Sequence, residues 1–378
     1  MSAVPSSILR KLKEREDVHA YRTLRAPVPG CADFSSNDYL GINHHHLLRA
    51  SPDLPSGSTG SRLLTGHSRL AEGLEEQIAA FHGNEAALLF NAGYMANLAL
   101  LSTCPQRNDT VIYDEKCHAS IRDGIRLGVA KAHAFRHQDM DHLADRLRKA
   151  TGQAYVVVES IYSMDGDLAP LKELVSICDS YQACLIVDEA HACGLKGEKG
   201  EGRVHAEGLS GQVFAVIYTY GKAFGCSGAS IVTSKVVREY LINFARPFIY
   251  TTAMPPVNLD LIRQSYDHVA GMRAERSHVE KLSRNLYQAL SDLNAGMVLG
   301  GEGPLVSLIV EGTSLVRALS SGLMDRQIDA RAMMHPTVAK GEERIRFCLH
   351  AFNTEEELSE LVLAVKSVRE SLFSETKA

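Results

Sequence analysis

No apolar stretch in this 378-residue chain approaches the roughly 20 residues that a membrane-spanning helix requires. The opening residues, MSAVPSSILRKLKERED, carry no apolar core of the kind a secretory signal needs. They read as a short amphipathic helix with acidic residues, which also argues against a transit peptide. Basic charge is not in excess: the net charge of −5 runs opposite to that of a dedicated nucleic-acid binder. The eight cysteines include no CxxC pair and are scattered through apolar contexts such as SICDS and QACLIV. Buried, free thiols in a reducing cytoplasm are therefore expected, rather than a disulfide framework. The triplet His44-His45-His46 has no Cys or Glu ligand pattern around it, and adjacent side chains diverge, so no metal site is expected.

Two nucleotide-binding signatures are missing as well. LIVDEAH, at 185–191, has the acidic pair of a helicase-type ATPase. Such an enzyme also needs GxxxxGK[ST] to cradle phosphates. The candidate lysine, Lys222, has Val216 where the first glycine belongs and Ala223 in place of Ser/Thr. A dinucleotide-binding oxidoreductase needs GxGxxG between a strand and its helix, and neither GSTGSRLLTG nor GLKGEKGEG has that spacing or context.

What the chain does contain is a rhythm. Residues 1–25 read as polar helix, 33–66 as irregular loops rich in Ser, Gly, Asn and Pro, and 68–82 as amphipathic helix. Then short apolar runs (AALLF, TVIYD, AYVVVES, ACLIVDEA, VFAVIYTY, ASIVTS) alternate with turns and helical stretches. Alternation of this kind predicts an α/β fold with a mostly parallel sheet covered on both faces. The pattern changes at Pro255-Pro256, after which come one long helical region (257–293), LVSLIV, RIRFCLH and a closing helix. The expected organisation is an N-terminal helix and arm (1–50), a large domain (51–256) and a small α+β domain (257–378).

Polar residues gather just after the apolar runs, at the strand ends where open α/β sheets bind ligands. They include Gly93-Tyr94, His118, Ser163, Asp188, His191 and Lys222. Singly, each has an ordinary explanation: a helix-start histidine, a strand-end cap, a solvated turn. Together they match the needs of pyridoxal 5′-phosphate. That cofactor takes a lysine amine as a Schiff base, a carboxylate beside its pyridine nitrogen, a donor near its phenolic oxygen and a flat group over its ring. Lys222, Asp188, His191 and His118 suit these four roles. The strand–turn–helix NAGYMAN offers backbone N–H groups to a phosphate, with Gly93 at the point of close approach.

The motifs SSNDYLG, GSTGSRLLTG, DEKCHASIRDG, SIYSMDGD, IVDEAHACGLKGEKGEGR, TYGKAFG and TTAMPP follow one another in the order found in the α-oxoamine synthases, which are fold-type I pyridoxal-phosphate enzymes. The resemblance runs from about residue 20 to 370. It implies a large domain with a mostly parallel sheet plus a small α+β domain, and an acyltransferase that condenses an amino acid with an acyl thioester and releases CO₂. By motif position, Lys222 resembles the Schiff-base lysine and base, Asp188 the pyridinium partner, His191 the phenolate partner and His118 the stacking histidine. Ser163 and Thr219 resemble cofactor-side hydroxyls, and Gly93 and Tyr94 the phosphate-binding helix start. Asn37 and Arg346 resemble the substrate-positioning pair, Arg346 taking the carboxylate. The family's active site lies between two subunits, so a homodimer is implied in which Thr251 or Thr252 reaches the partner's phosphate. Arg22 and Arg25 are candidates for the acyl group's carboxylate or the thioester's phosphates.

Within the family, the compact chain and the wording of SSNDYLG and HPTVAKGEERIR most resemble the member that joins alanine to a pimeloyl thioester, carried by CoA or a carrier protein. Members that use glycine or serine are the alternatives. Two departures from the family pattern, His335 in HPTV and Thr59 in GSTGSR, bear on substrate rather than on the catalytic groups.

Overall fold

The computed structural model describes residues 4–18, 20–24 and 26–375; Arg25 falls outside them. The chain divides into two compact units. One contains residues 37–163 and 167–279. The other contains the residues before 37, the tripeptide Met164–Gly166 and the chain from Glu280 onward.

The chain opens with α1 (Ser6–Asp17), which buries none of its residues, and β1 (Ala32–Asp33). The helix is shorter than the polar pattern over 1–25 suggests. Its apolar residues Ile8, Leu9 and Leu12 stay exposed, so packing adds little to extend it.

The larger unit is built on seven strands: β2 (Ala86–Phe90), β3 (Thr110–Asp114), β4 (Lys131–Phe135), β5 (Ala154–Glu159), β6 (Cys184–Asp188), β7 (Ala215–Thr219) and β8 (Ala229–Thr233). Their order across the sheet is β2-β8-β7-β6-β5-β3-β4. The neighbours from β7 to β4 run parallel, and β8 is antiparallel to both β2 and β7. Central strands such as β5 are buried at every position, as a sheet sheltered on both faces requires. β4, the edge strand, was not evident from the sequence. Its residues KAHAF are mostly exposed, so it has no apolar run to betray it.

The helices of this unit are α2 (Arg69–Phe81), α3 (Gly93–Thr103), α4 (Ala119–Leu127), α5 (Met140–Arg148), α6 (Leu171–Ser180), the short α7 (Arg203–Ala206), α8 (Lys235–Phe244), α9 (Arg246–Ile249) and α10 (Pro256–Gly271). Side-chain caps begin several of them: Ser68 Oγ accepts from Ala71 N at 3.3 Å and Asp139 Oδ1 from His142 N at 2.8 Å. The helical region expected over 257–293 is two helices, α10 and α11 (Arg273–Asp292), separated at Met272, whose ψ of 50° leaves the helical range. The boundary between the units falls inside α11.

In the smaller unit, β9 (Val298–Gly300), β10 (Leu305–Ile309), β12 (Arg331–Met333) and β13 (Arg344–Cys348) form an antiparallel sheet. β11 (Ile328–Asp329) pairs in parallel with β1. Two helices complete it, α12 (Thr313–Met324) and α13 (Glu355–Glu375). None of the eight cysteines forms a disulfide; six are buried, and Cys31 and Cys184 are half-buried. Among the described residues, no helix is long and apolar enough to cross a membrane.

Candidate active site

The parallel strands of the larger unit end in polar residues: Asp114 on β3, Glu159 on β5, Asp188 on β6 and Thr219 on β7. Lys222 lies three residues beyond Thr219, in the connection from β7 to its antiparallel neighbour β8. Backbone hydrogen bonds pin that connection: Tyr220 N donates to Gly228 O at 2.9 Å, Cys226 N to Tyr220 O at 2.8 Å and Gly225 N to Lys222 O at 2.9 Å. Small residues pack closely beside the lysine. A Cβ on Gly194, which has φ +84°, would sit 2.7 Å from that of Ala223.

Asp188 is buried at the end of β6. Its Oδ2 accepts from Asn97 Nδ2 at 2.8 Å and its Oδ1 from Ala190 N at 3.0 Å. The next carboxylate of the DEAH stretch, Glu189, does a different job. It is buried and accepts the backbone N–H of Arg203 and of Val204, both at 2.8 Å, at the start of α7. Burial raises its pKa to about 7.

His118 caps α4. Its Nδ1 lies 2.8 Å from Ser120 Oγ and accepts from Ser120 N at 3.2 Å. Burial lowers its pKa; Asp188 acts in the opposite direction and Lys222 adds to the lowering, so these three groups share one electrostatic environment. Ser163 is buried in the loop after β5. His191 Nδ1 lies 2.7 Å from the Tyr39 hydroxyl, which in turn lies 3.0 Å from Asn37 Oδ1. The structure therefore brings Asn37 to His191 through Tyr39, a residue the sequence reading did not single out.

Gly93 opens α3 directly against β7. A Cβ there would meet Thr219 Cγ2 at 2.5 Å. The buried Thr219 Oγ1 has no hydrogen-bond partner among the described residues. Tyr94, one residue on, is exposed and donates its hydroxyl to Asp123. Thr251 is half-buried and Thr252 exposed; the carbonyl of Thr252 accepts from Asn91 Nδ2 at 3.0 Å, in the turn that precedes α3.

Two candidates belong to the smaller unit. Arg346 is buried on β13, opposite Ser307 of β10 and Arg331 of β12. Arg22 is exposed and donates to Thr337 Oγ1 at 3.0 Å.

Sequence reasoning overlooked Glu159, which organises the site. Its Oε1 accepts from the backbone N–H of His118 at 2.6 Å and its Oε2 from that of Ser163 at 3.1 Å. One buried carboxylate thus ties together the loops after β3 and β5. Burial and the neighbouring Asp188 push its pKa up to about 8. A charged residue closing the apolar run AYVVV was the available signal, the same one that identified Asp188.

The family model for aminotransferases of class I and II matches residues 29–365. The chain belongs to that family. It is 38% identical over 390 aligned positions to an 8-amino-7-oxononanoate synthase of Emericella nidulans, with 94% of this chain and 93% of the relative covered. Among solved structures, a serine palmitoyltransferase of Sphingomonas wittichii superposes with a TM-score of 0.90 at 28% identity, over 98% of this chain and 99% of the other. An 8-amino-7-oxononanoate synthase of Francisella tularensis gives 0.78 at 27% identity, over 92% and 100%. The α/β architecture expected from the alternating runs, and the likeness to fold-type I transferases that condense amino acids with acyl groups, are both borne out.

Proposed function

We propose that the chain condenses L-alanine with a pimeloyl thioester to give 8-amino-7-oxononanoate, CO₂ and free thiol, a step in biotin synthesis, with pyridoxal phosphate as cofactor. The observation that carries the reading is the grouping of Lys222, Asp188, His118 and Thr219 around one edge of the large sheet. Their chemistry fits the cofactor. The unpartnered Thr219 hydroxyl and the side-chain-free start of α3 offer a phosphate a donor and close backbone approach. A doubly hydrogen-bonded carboxylate at Asp188 offers a counter-charge to a protonated ring nitrogen.

When bound, pyridoxal phosphate supplies an aldehyde for an amine and a ring that takes up the electron pair left by a departing proton or CO₂. The chain's residues do the rest. Lys222 Nζ would hold the cofactor through its aldehyde and would serve as the base for the substrate's Cα proton. Asp188 would be the carboxylate partner of a protonated ring nitrogen. His118 would serve as the stacking group and His191, held by Tyr39, as the phenolate-side donor, roles that rest on motif position. Ser163, in the loop after β5, would supply a cofactor-side hydroxyl, a role that rests on motif position. Arg346, with Asn37, takes the substrate's carboxylate, a role resting on motif position. The same warrant supports a homodimer in which Thr251 or Thr252 serves the partner's phosphate, and Arg22 as a contact for the acyl donor. A soluble, cytoplasmic enzyme fits a chain of this composition with eight free thiols.

The relative at 38% identity favours alanine and a pimeloyl donor. The serine palmitoyltransferase, which superposes more closely than the oxononanoate synthase, keeps serine with a fatty-acyl donor as the second reading. The deciding experiment titrates the cofactor-loaded protein with L-alanine, glycine and L-serine, adds pimeloyl-CoA or palmitoyl-CoA, and follows visible absorbance and thiol release. Alanine with pimeloyl-CoA is expected to release thiol fastest; turnover with serine and palmitoyl-CoA alone would move the enzyme within the family. Lys222→Ala is expected to abolish turnover and the imine absorbance, and turnover surviving that change would defeat the assignment.

A further inference from the structure

We propose that Asn97 and Ser120 are positioning residues that fix the tautomer of His118, leaving Nδ1 unprotonated and the proton on Nε2. The inference rests on the reading of His118 as a ring-facing group, but its test does not.

The argument is one of hydrogen counting. Asp188 ends β6 as a carboxylate that accepts a backbone N–H at 3.0 Å, so the group 2.8 Å from its other oxygen has to donate. That fixes the Asn97 amide with its NH₂ toward Asp188. The same nitrogen lies 3.0 Å from Ser120 Oγ and gives its second hydrogen there. Ser120 Oγ, having accepted from Asn97, has its own hydrogen left over. His118 Nδ1 stands 2.8 Å away and receives it. The Ser120 backbone N–H points at the same nitrogen from 3.2 Å. With two donors aimed at Nδ1, that atom is a lone pair, and the ring hydrogen belongs on Nε2.

The relay is a product of packing. Asn97 and Ser120 are each 1% exposed, so water does not compete for these groups. Asn97 sits on α3 and Ser120 in the first turn of α4. The two helices come close because Gly124 has no side chain: a Cβ there would lie 2.8 Å from the Asn97 carbonyl oxygen. A carboxylate on one strand thereby dictates which nitrogen of a histidine on another element carries its proton. His118 then presents an N–H at Nε2, a hydrogen-bond donor rather than a base.

The test is the tautomer itself. Long-range ¹⁵N–¹H spectra of the full chain labelled at histidine, recorded with and without pyridoxal phosphate, separate protonated from unprotonated ring nitrogens. Comparison with His118→Gln assigns the signal. The native chain is expected to show Nδ1 unprotonated in both states. Ser120→Ala removes one of the two donors and is expected to let protonated Nδ1 appear; Ser120→Thr, which keeps a hydroxyl, is expected to restore the native pattern. A protonated Nδ1 in the native chain, or a Ser120→Ala spectrum identical to the native one, overturns the proposal. The native measurement stands without any variant, so a failure of Ser120→Ala to fold leaves the question decidable. Loss of the imine assignment at Lys222 would sink the proposed function and leave this result untouched.

Discussion

Glu159 and Asp188 are directly paired residues on adjacent parallel strands, and both carboxylates are buried. Two like charges so placed do not ionise independently. Asp188 has the Asn97 amide and a backbone N–H to hold its charge, whereas burial and Asp188 itself raise Glu159 to about 8. Near neutral pH Glu159 therefore holds its proton.

A pH dependence of stability follows. A carboxyl whose folded pKa exceeds its ordinary value of 4.5 leaves the native state binding more protons than the unfolded state between the two values. Stability contributed by Glu159 is thus present at low pH and falls as pH rises from 4.5 through about 8. Glu159→Gln is expected to remove that slope. It should also destabilise the fold by roughly 1–3 kcal/mol, because the amide's NH₂ opposes one of two backbone N–H groups. Denaturant titrations of the cofactor-free chain and the variant across this pH range read both effects.

Gly93→Ala tests the phosphate end of the site. The new methyl would press on Thr219 Cγ2 at 2.5 Å, in the seam between α3 and β7. Pyridoxal phosphate affinity is expected to fall at least about tenfold, or ~1.4 kcal/mol, with the far-ultraviolet spectrum unchanged. Equilibrium binding followed by absorbance measures it, and an unaltered affinity would remove Gly93 from the site.

Gly124→Ala sets two effects against each other. Alanine favours helix over glycine by about 1 kcal/mol, but its Cβ would strike the Asn97 carbonyl oxygen at 2.8 Å and crowd Leu98 Cα at 3.2 Å. Backbone atoms yield little, so overpacking is expected to win, with a net loss of roughly 1–2 kcal/mol. Thermal unfolding gives the sign.

His137 lies between two carboxylates, with Nδ1 2.9 Å from Asp114 Oδ1 and Nε2 2.7 Å from Asp167 Oδ2. Burial opposes its charge, but the bonds to Asp114 and Asp167 outweigh it and raise the pKa to about 9. A raised histidine contributes stability that is complete below 6.5 and is lost as pH climbs through about 9. His137→Gln is expected to cost roughly 1–3 kcal/mol near pH 6, with the gap to the native chain narrowing in alkali. Paired unfolding curves at acid and alkaline pH check it.

How much of this was legible beforehand depends on where each residue keeps its partners. The alternating runs disclosed six of the seven strands in the large sheet, because strands buried along their whole length are apolar throughout. Edge strand β4 escaped, since exposure frees it to read KAHAF. The strand-end groups stood out because a charge that ends an apolar run has few structural reasons to be there. Asn97 and Ser120 were silent for the opposite reason. Each is a small polar residue inside a helix, and only the approach of α3 to α4 decides whom it touches. Tyr39, in a turn, is distant in sequence from the histidine it meets.

The antiparallel course of β8 has a consequence for Lys222. A lysine carried on a crossover helix would share that helix's fraying; this one is carried on a short span whose two ends are stitched into neighbouring strands. Its main chain is an anchored post, and the mobility that catalysis demands is confined to four methylenes.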